Sequence, residues 1–121
     1  MQLKDALAMA RELHPCAYDD RMLTRWVSEL DGRIRQEIMG VSDGIAPYDA
    51  QSDMEITLAA PFPHDGIYMT WLGAKIDFAG AEYDRYNNGM LMFNAEWDTL
   101  AAAWVREHGG DASKAQYAKF I

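Results

Sequence analysis

Cysteine is almost missing from this chain of 121 residues: Cys16 stands alone, so no disulfide can form within it. The chain must hold together through an apolar core, and its length is enough for one such core and one domain, 1–121. Such cysteine usage suits a reducing compartment. Long apolar runs are missing too, none approaching the ~18 residues of a membrane span. The opening M-Q-L-K-D-A-L-A-M-A-R-E-L carries charges throughout and lacks the apolar centre of a signal peptide. A soluble, unexported protein without membrane contact is expected.

Positive charge is the next scarcity. The net charge is −8, and residues 41–66 hold 5 acidic and no basic side chains. A protein that grips phosphate backbones needs a basic stripe, and none is present, so attraction to nucleic acid is not expected. Histidine is sparse as well. His14, His64 and His108 lie in different regions and none is spaced i, i+3 or i+4 from another. His14 and Cys16 are the nearest to a ligand pair, but a small hydrophobe in a turn explains Cys16 more simply. The nucleotide-binding glycine motifs, the G-x-S-x-G elbow and H-E-x-x-H are all absent. Asp77, Glu82, Asp84, Glu96 and Asp98 fall within a helical stretch, yet without the E-x-x-E or E-x-x-H repeat that aims two ligands at one metal. They read as a solvated face. The residues give no catalytic or metal-binding set and no cofactor.

What the chain does have is helical periodicity. Leu3, Ala6, Leu7, Ala10 and Leu13 mark a first helix over 2–13, stopped near Pro15. Asp19 or Asp20 can cap a second, which carries Leu23, Trp26, Val27, Leu30, Ile34 and Ile38 and ends at Gly40. Gly32 lies within it, either to admit another backbone or as a tolerated surface glycine. Residues 41–64 read as an acidic loop holding one short alternating segment, M-E-I-T-L. From 65 to 108 a stripe runs through Tyr83, Tyr86, Met90, Phe93, Trp97, Leu100 and Trp104. It keeps phase across Asn87-Asn88-Gly89, three poor helix formers in a row. Either one helix of about 40 residues, roughly 60 Å long, or two helices broken near 87–89 would fit. The cost of the three poor formers favours the break, with an asparagine capping the second helix. Gly109-Gly110 ends the pattern, and 109–121 is a tail. The fold class is all-α: about four helices, with a long loop and a short strand-like segment between helices 2 and 3. Leu23, Trp26, Leu30, Ile34, Leu72, Ile76, Phe93, Trp97 and Leu100 should form the core. Eight of the 14 aromatic residues sit between Tyr68 and Trp104. That stripe is longer than the first two helices can cover, which suits a subunit interface.

Two stretches carry a resemblance. The first is W-V-S-E-L-D-G-R-I, residues 26–34. The second is P-F-P-H-D-x-I-Y, K-I-D-F-A-x-x-E and Y-N-N-x-M-x-x-F-N in order across 61–94. Together they resemble the head–tail connector, or adaptor, proteins of tailed bacteriophages and prophages, over about residues 18–108. The chain departs at Gly89, where serine or threonine is expected. The resemblance implies a helical fold and a homo-oligomeric ring below the portal protein, in contact with other head–tail or tail-completion proteins. It implies that the ring extends the channel through which DNA passes as cargo, that the protein resides in the virion after assembly in the host bacterial cytoplasm, and that it performs no catalysis. Many connectors are monomers until they dock. An acidic protein-binding adaptor or regulator of bacterial origin, and a metal-dependent helical hydrolase, are the alternatives.

The segment Met54, Ile56 and Leu58 has no partner strand in view, and a lone strand leaves backbone groups unpaired. Those three residues, with Asp49 and Asp53 beside them, are the candidate interface for a second chain. Residues 41–60 should then be the most mobile part of the isolated protein.

Overall fold

The computed structural model describes residues 1–49 and 51–108. Among these it has four α-helices and no strand beyond one isolated bridge: α1 (Leu3–Leu13), α2 (Asp20–Arg33), α3 (Ile67–Ala79) and α4 (Tyr83–His108). The all-α expectation holds. The tail over 109–121 lies outside the described residues.

Local chemistry sets most of the boundaries. In α1 the 3–4 spacing buries Leu3, Ala6, Leu7 and Ala10 together. Asp19 caps α2 by accepting from Met22 N at 2.9 Å. Arg11 donates to Asp20 Oδ1 at 2.6 Å and to Tyr18 O at 3.0 Å, tying the end of α1 to the start of α2. Helix α2 does not end at Arg33 but runs on as a wider π-helical turn, Ile34–Ile38, closed by Met39 N donating to Ile34 O at 3.0 Å. The wide turn keeps both Ile34 and Ile38 buried. Gly40, at φ +73°, then leads the chain out.

Helix α3 is the centre of the molecule, buried at Ile67, Tyr68, Met69, Trp71, Leu72, Gly73 and Ala74 and packed on α1, α2 and α4. Of the expected core, Leu23, Leu30, Ile34, Leu72, Phe93, Trp97 and Leu100 are buried, while Trp26 and Ile76 are half-buried at its margin. Gly32 needs no special explanation. A Cβ there would meet only Ile45 Cγ2 at 3.6 Å, an ordinary contact. The glycine that admits a close neighbour is Gly73, where a Cβ would stand 2.6 Å from His14 Nε2.

Two expectations are corrected. Asn87-Asn88-Gly89 does not break the chain, because α4 runs unbroken from Tyr83 to His108. The break is at Gly80-Ala81-Glu82. There Gly80 N bonds to Ile76 O (3.0 Å), Ala81 takes φ +60°, and Glu82 N bonds to Asp77 O (2.8 Å). Packing outweighs propensity at 87–89. Tyr86, Met90 and Phe93 keep their stripe in phase with Trp97 against α3, and Asn87 and Asn88 face solvent. Gly89 lies where α4 crosses α3, 3.4 Å from Ala74 Cβ to a Cβ built on it.

The segment 54–58 is not unpaired. Leu3 N donates to Ile56 O, Lys4 N to Met54 O and Leu58 N to Met1 O, each at 2.9 Å, with one antiparallel bridge between Gln2 and Thr57. The first N–H groups of a helix have no partner within it. Here the carbonyls of 54 and 56 supply them, so the segment serves as the backbone cap of α1. The alternation was a true guide to facing: Leu58 is buried, Met54 and Ile56 are half-buried, and Glu55 and Thr57 are exposed.

Candidate functional site

One residue from each quoted stretch, Asp31 and Tyr68, meets the other in a buried polar network centred on Asp31. Asp31, on α2, is 1% exposed. Its Oδ1 accepts from Tyr68 Oη of α3 at 2.5 Å and from Ala59 N at 2.8 Å. Its Oδ2 accepts from Tyr48 Oη at 2.6 Å and faces Arg35 Nη2 at 3.4 Å. The network extends outward. Ala60 N donates to Tyr68 Oη at 2.8 Å, Tyr48 N to Ser28 Oγ at 2.8 Å, and Arg35 Nη2 to Tyr48 Oη at 3.2 Å. A carboxylate taken out of water needs this many donors to offset its lost hydration. Burial, and then the Asp31 carboxylate, push the ionisation of both Tyr68 and Tyr48 well above the usual phenol range. Both hydroxyls therefore remain donors across ordinary pH.

With both its oxygens occupied, Asp31 presents nothing to a substrate. Its chemistry is to fasten α2, α3 and the loop at 48 and 59–60 to one another. These anchors, with the pairing of 54–58, oppose the expectation that 41–60 is the loosest part of the isolated chain. They also remove the argument for Met54, Ile56, Leu58, Asp49 and Asp53 as an open edge awaiting a second chain. Asp49 and Asp53 are exposed and make local turns instead, Asp49 Oδ1 accepting from Gln51 N and Asp53 Oδ1 from Glu55 N, both at 2.9 Å.

The histidines stay apart. The ring of His14 packs on Gly73, His64 lines a recess before α3, and His108 stacks on Trp104 with Nδ1 3.1 Å from Trp104 O. Among the described residues no group of three or more His, Cys, Asp and Glu side chains could hold a metal ion. No described helix is long and apolar enough to cross a membrane.

Exposed apolar surface gathers on the α3–α4 hairpin. At its bend Phe78 lies 5.6 Å from Tyr83 and 5.0 Å from Tyr86, ring centre to ring centre, with Phe78 and Tyr83 both exposed. One to two turns further along α4, Leu91 is 70% and Met92 62% exposed. Of the aromatic stripe, only its first residue, Tyr83, stays exposed, while Tyr86 to Trp104 are buried or half-buried; the other uncovered residues, Leu91 and Met92, lie on the opposite side of α4 and break the amphipathic pattern. Between α2 and residues 42–47 lies an open groove of about 600 Å³, whose Arg25 and Arg33 pair with Glu29 and Glu37 respectively. Comparison with protein-family models, with curated proteins and with solved structures finds no match to this chain.

Proposed function

We propose that this protein is a structural component of a tailed-phage or prophage virion, a head–tail connector whose copies form a ring beneath the portal and extend the DNA channel. The resemblance of residues 26–34 and 61–94 suggests the family. The observation that carries the reading furthest is the uncovered apolar surface of the α3–α4 hairpin: Phe78, Tyr83, Leu91 and Met92. Apolar and aromatic surface of this kind is typical of a protein–protein contact. A ring closes through a heterologous contact repeated around an axis, and this hairpin offers one half of it. The acidic balance suits a channel wall, because a basic lumen would hold DNA that must slide. On this reading the protein needs no cofactor and catalyses nothing. Its partners are the portal, other tail-completion proteins and further copies of itself, with DNA only as cargo.

The reading is tested by placing a positive charge on the hairpin. Tyr83→Lys and Leu91→Lys lie on exposed positions, so the helical circular dichroism should persist, whereas light scattering of the protein mixed with the portal protein of its own genome should show loss of the complex. A complex of unchanged mass and affinity in both variants would remove the hairpin from the interface.

A further inference from the structure

The chain between α2 and α3 is tied down unevenly. Residues 54–60 are held along their length: Met54 O and Ile56 O accept from α1, Leu58 N donates to Met1 O, Ala59 N to Asp31 Oδ1 and Ala60 N to Tyr68 Oη. Residues 41–48 are held at their two ends. Val41 N donates to Arg35 O at 2.9 Å. Tyr48 N donates to Ser28 Oγ at 2.8 Å, and the Tyr48 hydroxyl to Asp31 Oδ2 at 2.6 Å. Between these anchors every residue from 42 to 47 is exposed, and no backbone group of 42–47 bonds to another backbone group among the described residues. A Cβ built on Gly40 or Gly44 would meet nothing within 4 Å. Gly44, at φ +77°, lets the backbone turn in the middle of the segment. Beneath 42–47 lies the open groove of about 600 Å³ against α2, with Ile45 Cγ2 3.6 Å from where a Cβ on Gly32 would stand. A segment with few buried contacts and unpaired backbone opens at a lower free energy than the core around it.

We propose that residues 41–48 form a strap that opens by itself while the rest of the fold stays closed, with the Tyr48 hydroxyl as its latch. Of the three anchors, the bond from Tyr48 to a carboxylate is charge-assisted and the strongest. Opening does not strand the buried Asp31. Its Oδ1 keeps Ala59 N and Tyr68 Oη, and Arg35 Nη2 stands 3.4 Å from Oδ2, ready to take the place of the phenol. The cost is therefore confined to the strap and its anchors. Opening lifts one wall from the groove, frees Ser28 Oγ of its donor and uncovers Gly32, so the strap controls access to that face of α2. The inference does not depend on the connector reading.

Native-state hydrogen exchange of the full chain, read amide by amide by NMR, tests the strap. The amides of 42–46 should exchange within about ten-fold of free-peptide rates. Those of Val41 and Tyr48 should share one opening equilibrium that hardly changes with low urea, whereas the buried amides of Leu23 and Leu30 in α2 respond steeply. Tyr48→Phe should speed exchange at positions 41 and 48 together, by about ten-fold, with the circular dichroism unchanged. Gly73→Ala, which strains the contact with His14 and lowers the stability of the whole fold, should leave both rates as they are. Exchange at 41 and 48 as slow and as urea-dependent as in the core of α2, or a rise in Gly73→Ala equal to that of the core, would show that the strap opens only when the protein unfolds. A Tyr48→Phe variant in which the Val41 amide is unaffected would take the latch away from the hydroxyl.

Discussion

Replacing Asp31 tests whether the network around it holds the fold together. Asp31→Ala removes the acceptor of the Ala59 N–H and of the Tyr68 and Tyr48 hydroxyls, and the partner of Arg35. Arg35 and Tyr48 lie near enough to the surface to turn toward water. Tyr68 is fully buried and Ala59 partly so, and a buried donor left unpaired costs about 1–3 kcal/mol. A loss near 4 kcal/mol is expected, a large part of the ~5–15 kcal/mol that stabilises such a domain. Asp31→Asn keeps one carbonyl oxygen for Ala59 N and Tyr68 Oη and changes only the side facing Tyr48 and Arg35, so it should cost about 1–2 kcal/mol. Urea unfolding followed by tryptophan fluorescence gives both values. The two costs should fall in that order, and Tyr48→Phe should cost less in the Asp31→Asn background than alone. An Asp31→Ala variant within about 1 kcal/mol of the parent would refute the reasoning.

Alkali should weaken the fold through the same tyrosines. Their folded-state ionisation is raised above the unfolded value near 10, so their contribution is complete below pH ~10 and is lost as pH rises above it, at up to about 1.4 kcal/mol per pH unit for each; a pH series of urea midpoints should show the slope, reduced in Tyr48→Phe. Gly73→Ala should destabilise by about 1–3 kcal/mol because its Cβ meets the His14 ring, and His14→Ala in the same chain should recover most of that loss in thermal denaturation. Gly89→Ala should be neutral or stabilising by up to about 1 kcal/mol, since Ala74 Cβ at 3.4 Å leaves room and the helix gains propensity. Ala81→Gly should likewise stabilise by about 1 kcal/mol by relieving the left-handed residue at the true bend, and destabilisation in either case would count against the placement of the α3–α4 turn.

The parts legible in the sequence are those whose cause is local or periodic. The stripe Leu3, Ala6, Leu7, Ala10 and the cap at Asp19 each carry their own explanation within a few residues. The α3–α4 bend does not. Ala81 is a good helix former that takes φ +60° only because α4 folds back onto α3, whereas the poor formers at 87–89 are held helical by the side chains on either side of them. Phase was therefore the better guide than propensity. The role of Asp31 was hidden for a related reason. An aspartate on a helix resembles a solvated residue, and its partners Ala59 and Tyr68 stand 28 and 37 positions away. The pairing of 54–58 had no signal either, since its partner is the first turn of a helix rather than a second alternating run. Of the candidate surface, Leu91 and Met92 were missed, although apolar residues off the stripe are a departure from the amphipathic pattern that the sequence carries.

The most direct measurement is electron microscopy of the purified protein mixed with the portal protein of its own genome. Closed rings seated on one end of the portal, coaxial with its channel, are expected, with the α3–α4 hairpin between neighbouring copies. A protein that stays monomeric beside an unoccupied portal, at concentrations where the portal itself is intact, would contradict it.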